Sequence, residues 1–68
     1  MVKISLASAR VNAGYTQKEA AKLLGISNKT LCSWEKGASF PKAVHVEEIC
    51  ALYQLPYDSI NFLSNNSL

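Results

Sequence analysis

The stretch Thr16–Gly37 reads TQKEAAKLLGISNKTLCSWEKG, and this segment decides the fold. Its first four residues, T-Q-K-E, match a capping box. In that motif the Thr16 hydroxyl accepts the backbone N–H of Glu19, and the glutamate side chain reaches back to the threonine backbone. The segment therefore predicts a helix that begins after Thr16 and ends at Gly25, after barely two turns.

A link of three residues, 25–27, separates this helix from the next one. Ser27 is a suitable N-cap for a second helix over Asn28–Lys36, and Gly37 ends it. Two short helices joined by a tight turn with glycine form a helix-turn-helix, and two alanines in the first helix allow the close crossing. The second helix is then free to enter a DNA major groove, which is about 12 Å wide.

Apolar periodicity and the positions of glycine and proline predict three further helices outside this motif. They are expected at about Ile4–Asn12, at about Ala43–Tyr53, and in a short stretch after Pro56 with Ile60 and Leu63 facing inward. No segment alternates convincingly with period two, so no sheet is expected. The prediction is an all-α, five-helix domain over residues 1–63, with a flexible tail at 64–68.

Composition indicates a folded globule of 68 residues, since 49% of them are hydrophobic and 18% are charged. Cys32 and Cys50 form no C-x-x-C pair, and His45 completes no zinc-ligand spacing. We therefore expect no metal, cofactor or small-molecule ligand. Reduced cysteines and a cytoplasmic location are expected, because no signal peptide or membrane span is evident; a disulfide is the lesser alternative.

Charge is unevenly distributed along the chain. All seven Lys and Arg residues lie in 1–42, together with two acids, whereas residues 43–68 carry three acids and no Lys or Arg. This pattern favours one face that attracts polyanions. The alternative is a solvated surface on which the charges are segregated by chance.

With these features in place, the chain resembles the phage-repressor and Cro-like helix-turn-helix family of lambda-repressor-like, XRE-type regulators. The most specific matching elements are Thr16-Gln17, Ala21, Gly25-Ile26-Ser27, Leu31 and Trp34-Glu35-x-Gly37. The resemblance implies a compact five-helix fold and sequence-specific binding of double-stranded DNA. It further implies a small transcriptional regulator, a repressor of prokaryotic or phage origin, that binds a palindromic operator as a homodimer.

The resemblance also implies which residues touch DNA. Gln17 corresponds to the residue that anchors the first motif helix to a phosphate, and the helix N-terminus after Thr16 suits an anion independently. A solvated first-turn residue is the alternative for Gln17. Lys36 and Lys42 flank the recognition helix and are expected to bind backbone phosphates. Lys18 and Lys22 are expected either to contact the DNA backbone or to serve only as surface charges that keep the protein soluble.

Asn28 and Lys29, with Ser27 and Ser33, match the groove-facing positions of the family. The helical wheel agrees, since these positions oppose the apolar side of the helix. Asn can bond adenine in bidentate fashion, and Lys can donate to guanine O6 and N7. Cys32 departs from the usual polar pattern: it is a small apolar filler, a thymine-methyl contact or an oxidisable group.

Arg10 and Glu35 resemble a structural ion pair between the first and third helices of this family. Both lie beside apolar neighbours, so that an unpaired partner would cost on the order of several kcal/mol if it were buried. A phosphate contact is a second possible role for Arg10. The pair is therefore expected to support the scaffold first.

A homodimer contact is expected at the C-terminal end, where apolar residues concentrate: Tyr57, Ile60, Phe62, Leu63 and Leu68. Pairing there would place two recognition helices about 34–36 Å apart, one turn of DNA. A protein-interaction module, such as an antitoxin-like adaptor, is the alternative function, although the polar and basic recognition face argues against it. An enzyme is least favoured, because the sequence has no Ser/His/Asp set, metal cluster or glycine-rich phosphate loop.

Overall fold

The computed structural model describes residues 3–62. The elements are, in chain order, β1 (Ile4–Ser5), α1 (Leu6–Asn12), α2 (Gln17–Leu24), α3 (Asn28–Lys36), α4 (Ala43–Tyr53), a 3-10 turn (Tyr57–Ser59) and β2 (Ile60–Asn61). The described part is thus mostly helical and measures 29 × 23 × 21 Å. The two helices of the motif, α2 and α3, have the bounds that the sequence predicts.

Local hydrogen bonds explain where α2 begins and ends. The Thr16 hydroxyl accepts the Glu19 backbone N–H at 3.1 Å, and the Thr16 N–H donates to the Glu19 carboxylate at 2.9 Å. Gly25 ends the helix with φ of +73°, a left-handed conformation that glycine adopts without a Cβ clash. The Ile26 N–H then donates to the Ala21 carbonyl at 3.0 Å, which fixes the direction of the turn.

The same devices bound α3. The Ser27 hydroxyl accepts the backbone N–H of Thr30 at 3.0 Å, and Gly37 closes the helix at φ of +81°. The first residue of α4, Ala43, also lies where the sequence predicts, although its N-cap, Lys42, makes no side-chain capping bond. Because α3 is regular helix from Asn28 to Lys36, its residues outside the core form one continuous face.

The core is formed by apolar side chains from every helix and from the C-terminal segment. Its buried members are Leu6, Ala9, Ala20, Ala21, Leu24, Leu31, Trp34, Ile49, Tyr53, Ile60 and Phe62. Both alanines of α2 are buried, as expected for a close crossing of short helices. Leu31 is fully buried, so one side of α3 is fixed against the body of the protein.

The predicted fifth helix is wrong within the described residues, which contain four α-helices. After one 3-10 turn the chain becomes extended, and Ile60 lies at φ −114° and ψ 131°. β2 pairs in parallel with β1, with Ile4 opposite Ile60, so the expectation of no sheet is also wrong. β-branched Ile60 favours extended backbone, and its side chain is buried in the core from there.

The first helix is shorter than predicted, because the first two residues of the predicted helix form a β-strand instead. Ile4 and Ser5 form β1, and the Ser5 hydroxyl caps α1 by accepting the Ser8 N–H at 3.0 Å. At the other end of the chain, Leu63 and the predicted tail at 64–68 lie outside the described residues. The predicted domain limit at residue 63 stays a prediction.

The predicted dimer patch also needs correction. Ile60 and Phe62 are 1% and 8% exposed, so they belong to the core and offer little surface to a second chain. Tyr57 is 58% exposed, and its ring stacks on that of Phe62 with centroids 5.5 Å apart. Leu63 and Leu68, the other members of the patch, lie outside the described residues.

Candidate nucleic-acid interface

A groove of about 600 Å³ runs along the outer face of α3. It is lined by Gln17, Asn28, Lys29, Cys32, Ser33, Lys36 and Ala38. Five of the residues proposed from the sequence as DNA contacts thus lie around one groove, although they come from both motif helices. Lys42 is not among the lining residues and lies exposed at the start of α4.

The exposed and buried sides of α3 are opposite in chemistry. Asn28, Lys29 and Lys36 are exposed, whereas Leu31 and Trp34 are buried in the core. An Asn amide offers a donor and an acceptor side by side, and Lys offers a cationic donor. The exposed side can therefore bond base edges and phosphates while the buried side keeps the helix attached.

Thr16 and Ser27 use their side chains inside the protein. Ser27 accepts from the Thr30 backbone, and its hydroxyl donates to the Thr30 hydroxyl at 2.9 Å. Thr16 accepts from Glu19, as described above. Their first contribution is thus to begin the two motif helices and to orient the backbone N–H groups of the first turns, which carry partial positive charge.

Ser33 is joined to a residue that the sequence analysis did not single out as a contact. Its hydroxyl lies 2.8 Å from the hydroxyl of Ser39, in the loop after Gly37. Both side chains are half-buried, and one of the two hydroxyls donates to the other. Ser39 follows the glycine that ends α3, so no helical periodicity connects the two positions in the sequence.

Behind the groove, Arg10 and Glu35 form an ion pair. The guanidinium Nε lies 2.8 Å from Glu35 Oε2, and Nη2 lies 3.5 Å from Oε1. Nη1 also donates to the Tyr15 carbonyl at 2.9 Å. The side chains are 14% and 8% exposed, so the pair joins α1, the loop before α2 and α3 away from most solvent. Charge-assisted bonds of this kind are stronger than neutral ones.

Gln17 completes this network. Its side-chain Nε2 donates to Glu35 Oε1 at 3.0 Å, which connects the first residue of α2 to the last turn of α3. Sequence reasoning gave Gln17 either a phosphate contact or a solvated position and missed this bond, because the two positions are 18 residues apart and no local pattern relates them. The amide is half-buried and borders the groove as well.

Two side chains of α4 are shifted in acidity. Burial raises the pKa of Tyr53 to about 12, with a further rise from the Glu35 carboxylate and a partial opposing effect of Arg10. Burial also raises the pKa of the Cys50 thiol. Cys50 and Cys32 are both free thiols. A thiol with a raised pKa is less often the reactive thiolate.

Comparison with known families identifies the class of the protein. A family model described as helix-turn-helix matches residues 6–60, which is most of the chain. The chain therefore belongs to this helix-turn-helix family, of the XRE or lambda-repressor-like type, and the resemblance found in the sequence is confirmed. The family consists of DNA-binding transcription regulators and is typically not enzymatic. Neither a curated protein nor a solved structure matches the chain.

Residues 3–62 lack two further features, a membrane-spanning helix and a cluster of metal-ligating side chains. No helix within 3–62 combines the length and the apolar character needed to cross a membrane. In the same part of the chain, no three His, Cys, Asp or Glu side chains come together as possible metal ligands.

Proposed function

We propose that this protein is a sequence-specific transcriptional repressor of prokaryotic or phage type that inserts α3 into the major groove of a palindromic operator. The observation that carries the proposal is the groove along α3, where polar and cationic side chains from both motif helices surround one concave surface. The family supplies the class of ligand, double-stranded DNA. The operator would lie on the nucleoid of the host.

The residues divide by chemistry into two groups. Asn28 and Lys29 stand exposed on the first turn of α3 and are proposed to bond base edges, with Ser33 one turn further on. Lys36 and Lys42 are proposed to bind phosphates, which supplies affinity without sequence information. The N-termini of α2 and α3, capped by Thr16 and Ser27, and the side chain of Gln17 provide uncharged phosphate donors.

Selection of random duplexes by the protein, followed by titration over a range of salt concentrations, tests this function. We expect one palindromic motif to be enriched and the logarithm of affinity to fall linearly with the logarithm of salt. Lys36→Ala should reduce the salt slope by about one unit, whereas Asn28→Ala should relax the preference at one base pair. Glu48→Gln, at an exposed residue of α4, is the matched control. Failure to enrich any sequence, with affinity independent of salt, would refute DNA readout and favour the interaction-module alternative.

A homodimer is proposed at a surface that shares Tyr57 with the patch that the sequence suggested but otherwise lies on and before α4. A second groove of about 590 Å³ lies between α4 and the 3-10 turn, lined by Pro41, Ala43, Val46, Glu47, Cys50 and Tyr57. Large apolar side chains at and next to it are unusually exposed: Tyr57 at 58% and Val44 at 56%. Exposed apolar patches of this kind commonly mark protein contacts.

Sedimentation with and without operator DNA tests the dimer. We expect Val44→Lys to lower the dimer fraction and to reduce binding to a full palindrome more than binding to a half-site. Leu23→Lys, at a residue that is 60% exposed on α2, is the matched control for adding charge to an apolar surface residue. A wild-type protein that stays monomeric on a full palindrome would disprove the dimer but not the DNA binding.

A further inference from the structure

The hydroxyl of Ser33 is held by a residue outside its own helix. Its oxygen lies 2.8 Å from the hydroxyl oxygen of Ser39, and both side chains are half-buried. Ser33 borders the groove along α3, and so does Ala38, which precedes Ser39 in the loop. Within residues 3–62 neither hydroxyl has another hydrogen-bond partner. The bond between them is therefore the polar contact that orients both side chains.

The backbone ends α3 without help from these two hydroxyls. Gly37 closes the helix in a left-handed conformation, and its N–H donates to the carbonyls of Ser33 and Trp34. The N–H of Ala38 also donates to the Ser33 carbonyl, at 3.0 Å. These bonds form a Schellman-type helix end, which is made by backbone groups alone. Loss of the Ser39 hydroxyl should therefore change the Ser33 side chain and leave the helix intact.

A serine inside a helix has a competing use for its hydroxyl. It can donate its single proton to the carbonyl four residues earlier, which for Ser33 belongs to Lys29. A hydroxyl bonded in this way has no proton left for a base. Ser39 supplies a different partner, and the Ser33 oxygen is bonded to the loop beside the groove instead.

The hydroxyl pair retains a proton that can meet a ligand. Two hydroxyls carry two protons, and the bond between them uses one. When Ser39 donates, the Ser33 proton is free to meet N7 or O6 of guanine. When Ser33 donates, its remaining lone pair is free to accept from a base amino group. Either hydroxyl can be the donor, so the Ser33 oxygen has a fixed position and a polarity that adapts to the base.

We infer that Ser39 is a positioning residue for base readout, because its hydroxyl holds the Ser33 oxygen beside the groove and spares a proton for the base edge. This inference rests on the proposed function, in which Ser33 contacts a base, and it adds a residue from outside the motif. Ser39 acts through Ser33 and needs no contact with DNA. Its loss should weaken the preference at the one base pair that Ser33 reads.

The experiment measures the affinities of full-length variants for the operator enriched by wild-type protein and for all its single-base-pair substitutions. Ser33→Ala removes the reading hydroxyl and identifies the base pair that it contacts. Ser39→Ala removes only the partner, and the double variant tests whether Ser39 acts through Ser33. Ser59→Ala is the matched control, because Ser59 is also half-buried and lies in the 3-10 turn.

We expect Ser33→Ala to abolish the preference at one base pair. Ser39→Ala should reduce the same preference by about threefold, because a side chain that is already ordered in wild type must then be ordered on binding. The double variant should match Ser33→Ala, and Ser59→Ala should match wild type. The inference is overturned if Ser39→Ala has no effect, weakens all base-pair substitutions equally, or has the same effect when the Ser33 hydroxyl is absent.

A measurement without DNA tests the positioning itself. The couplings between the Hα and Hβ protons of Ser33 report its χ1 rotamer. We expect one rotamer in wild type and in Ser59→Ala, and changed couplings in Ser39→Ala, because the hydroxyl is then free to turn to the Lys29 carbonyl. Unchanged couplings overturn the inference. Failure of the proposed function is distinguishable, because wild-type protein then enriches no operator, whereas the couplings of Ser33 still respond to Ser39→Ala.

Discussion

Two regions of this protein are stabilised in different ways: the motif at 16–37 and the C-terminal segment at 54–62. The motif helices begin and end through bonds between residues no more than five positions apart, such as the Thr16–Glu19 capping box and the contact from Ile26 to Ala21. The C-terminal segment is fixed by pairing with Ile4, near the other end of the chain, and by burial of Ile60. Bonds between residues close in sequence follow recognisable motifs, whereas contacts between distant residues are much harder to predict from the sequence.

The polar network combines both cases. Its members lie in or beside the motif, yet its bonds cross 25 positions from Arg10 to Glu35 and 18 positions from Gln17 to Glu35. Local bonds therefore shape each helix, while distant bonds orient one helix against another. The function proposed for α3 depends on both, because the exposed side chains must be helical and the helix must be correctly inclined.

The largest effect is expected where a distant charged bond is removed. Glu35→Ala leaves the Arg10 guanidinium, 14% exposed, without its carboxylate. Breaking one side of such a pair costs about 3–5 kcal/mol, a large part of the stability of a small domain. Urea denaturation followed by circular dichroism measures the loss. Glu48→Ala, at an exposed residue of α4, should stay within about 0.5 kcal/mol of wild type, and an equal cost for both variants would contradict the network.

The difference between the regions explains what could be predicted from sequence. The bounds of α2 and α3 follow from caps, glycines and periodicity, and those of α4 from apolar periodicity. The strand pair could not be predicted, because two residues are too short to show alternation and their partners lie far apart in the chain. Ile60 was predicted both to face inward and to belong to the dimer patch, and Phe62 only to the patch; the tertiary pairing shows that both complete the core.

The candidate site shows the same division. The face formed by Asn28, Lys29 and Ser33 follows from the helical wheel and the family resemblance, and the structure groups these residues around one groove. The bond of Ser33 to Ser39 and that of Gln17 to Glu35 depend on loop geometry and helix crossing. Neither bond has a periodic signal, so neither could be predicted from the sequence.

A second prediction tests the distant pairing directly. Ile60→Ala removes a side chain that is 1% exposed and should cost about 3 kcal/mol through lost burial and a residual cavity. Ile60→Val keeps the β-branched, extended backbone and should cost only about 1 kcal/mol. Val44→Ala, at a residue that is 56% exposed, is the control. Denaturation midpoints for the three variants decide the matter, and a cost for Ile60→Ala no greater than that of the control would mean that Ile60 is not part of the core.

A smaller effect is expected where a local bond is removed. Thr16→Ala deletes the hydroxyl that accepts the Glu19 N–H, and loss of an N-cap costs about 1 kcal/mol. Thr16→Ser should retain most of the stability, because serine offers the same acceptor. The measurement is again the free energy of unfolding. If Thr16→Ala proved as costly as Glu35→Ala, the proposed division between local and distant bonds would not hold.

The smallest effect at neutral pH is expected at Tyr53, which lies 4% exposed and whose hydroxyl has no hydrogen-bond partner within residues 3–62. Its folded pKa of about 12 exceeds the ordinary value of 10.0, so folding favours the neutral phenol. That contribution is complete below pH 10 and is lost as the pH rises from about 10 through about 12. Tyr53→Phe removes the titrating group and a hydroxyl without a partner, and its stability at pH 7 should lie within about 0.5 kcal/mol of wild type.

The difference should appear only in alkali. Between pH 10 and 11.5 the urea midpoint of wild type should fall more steeply than that of Tyr53→Phe, because only wild type must keep a buried phenol neutral. Lysine deprotonation contributes equally to both proteins and cancels in the comparison. Tyr57→Phe, at an exposed tyrosine, should follow the wild-type curve. Parallel curves for wild type and Tyr53→Phe would show that the hydroxyl reaches solvent, and that the region behind α3 is less tightly closed than the Arg10–Glu35 network implies.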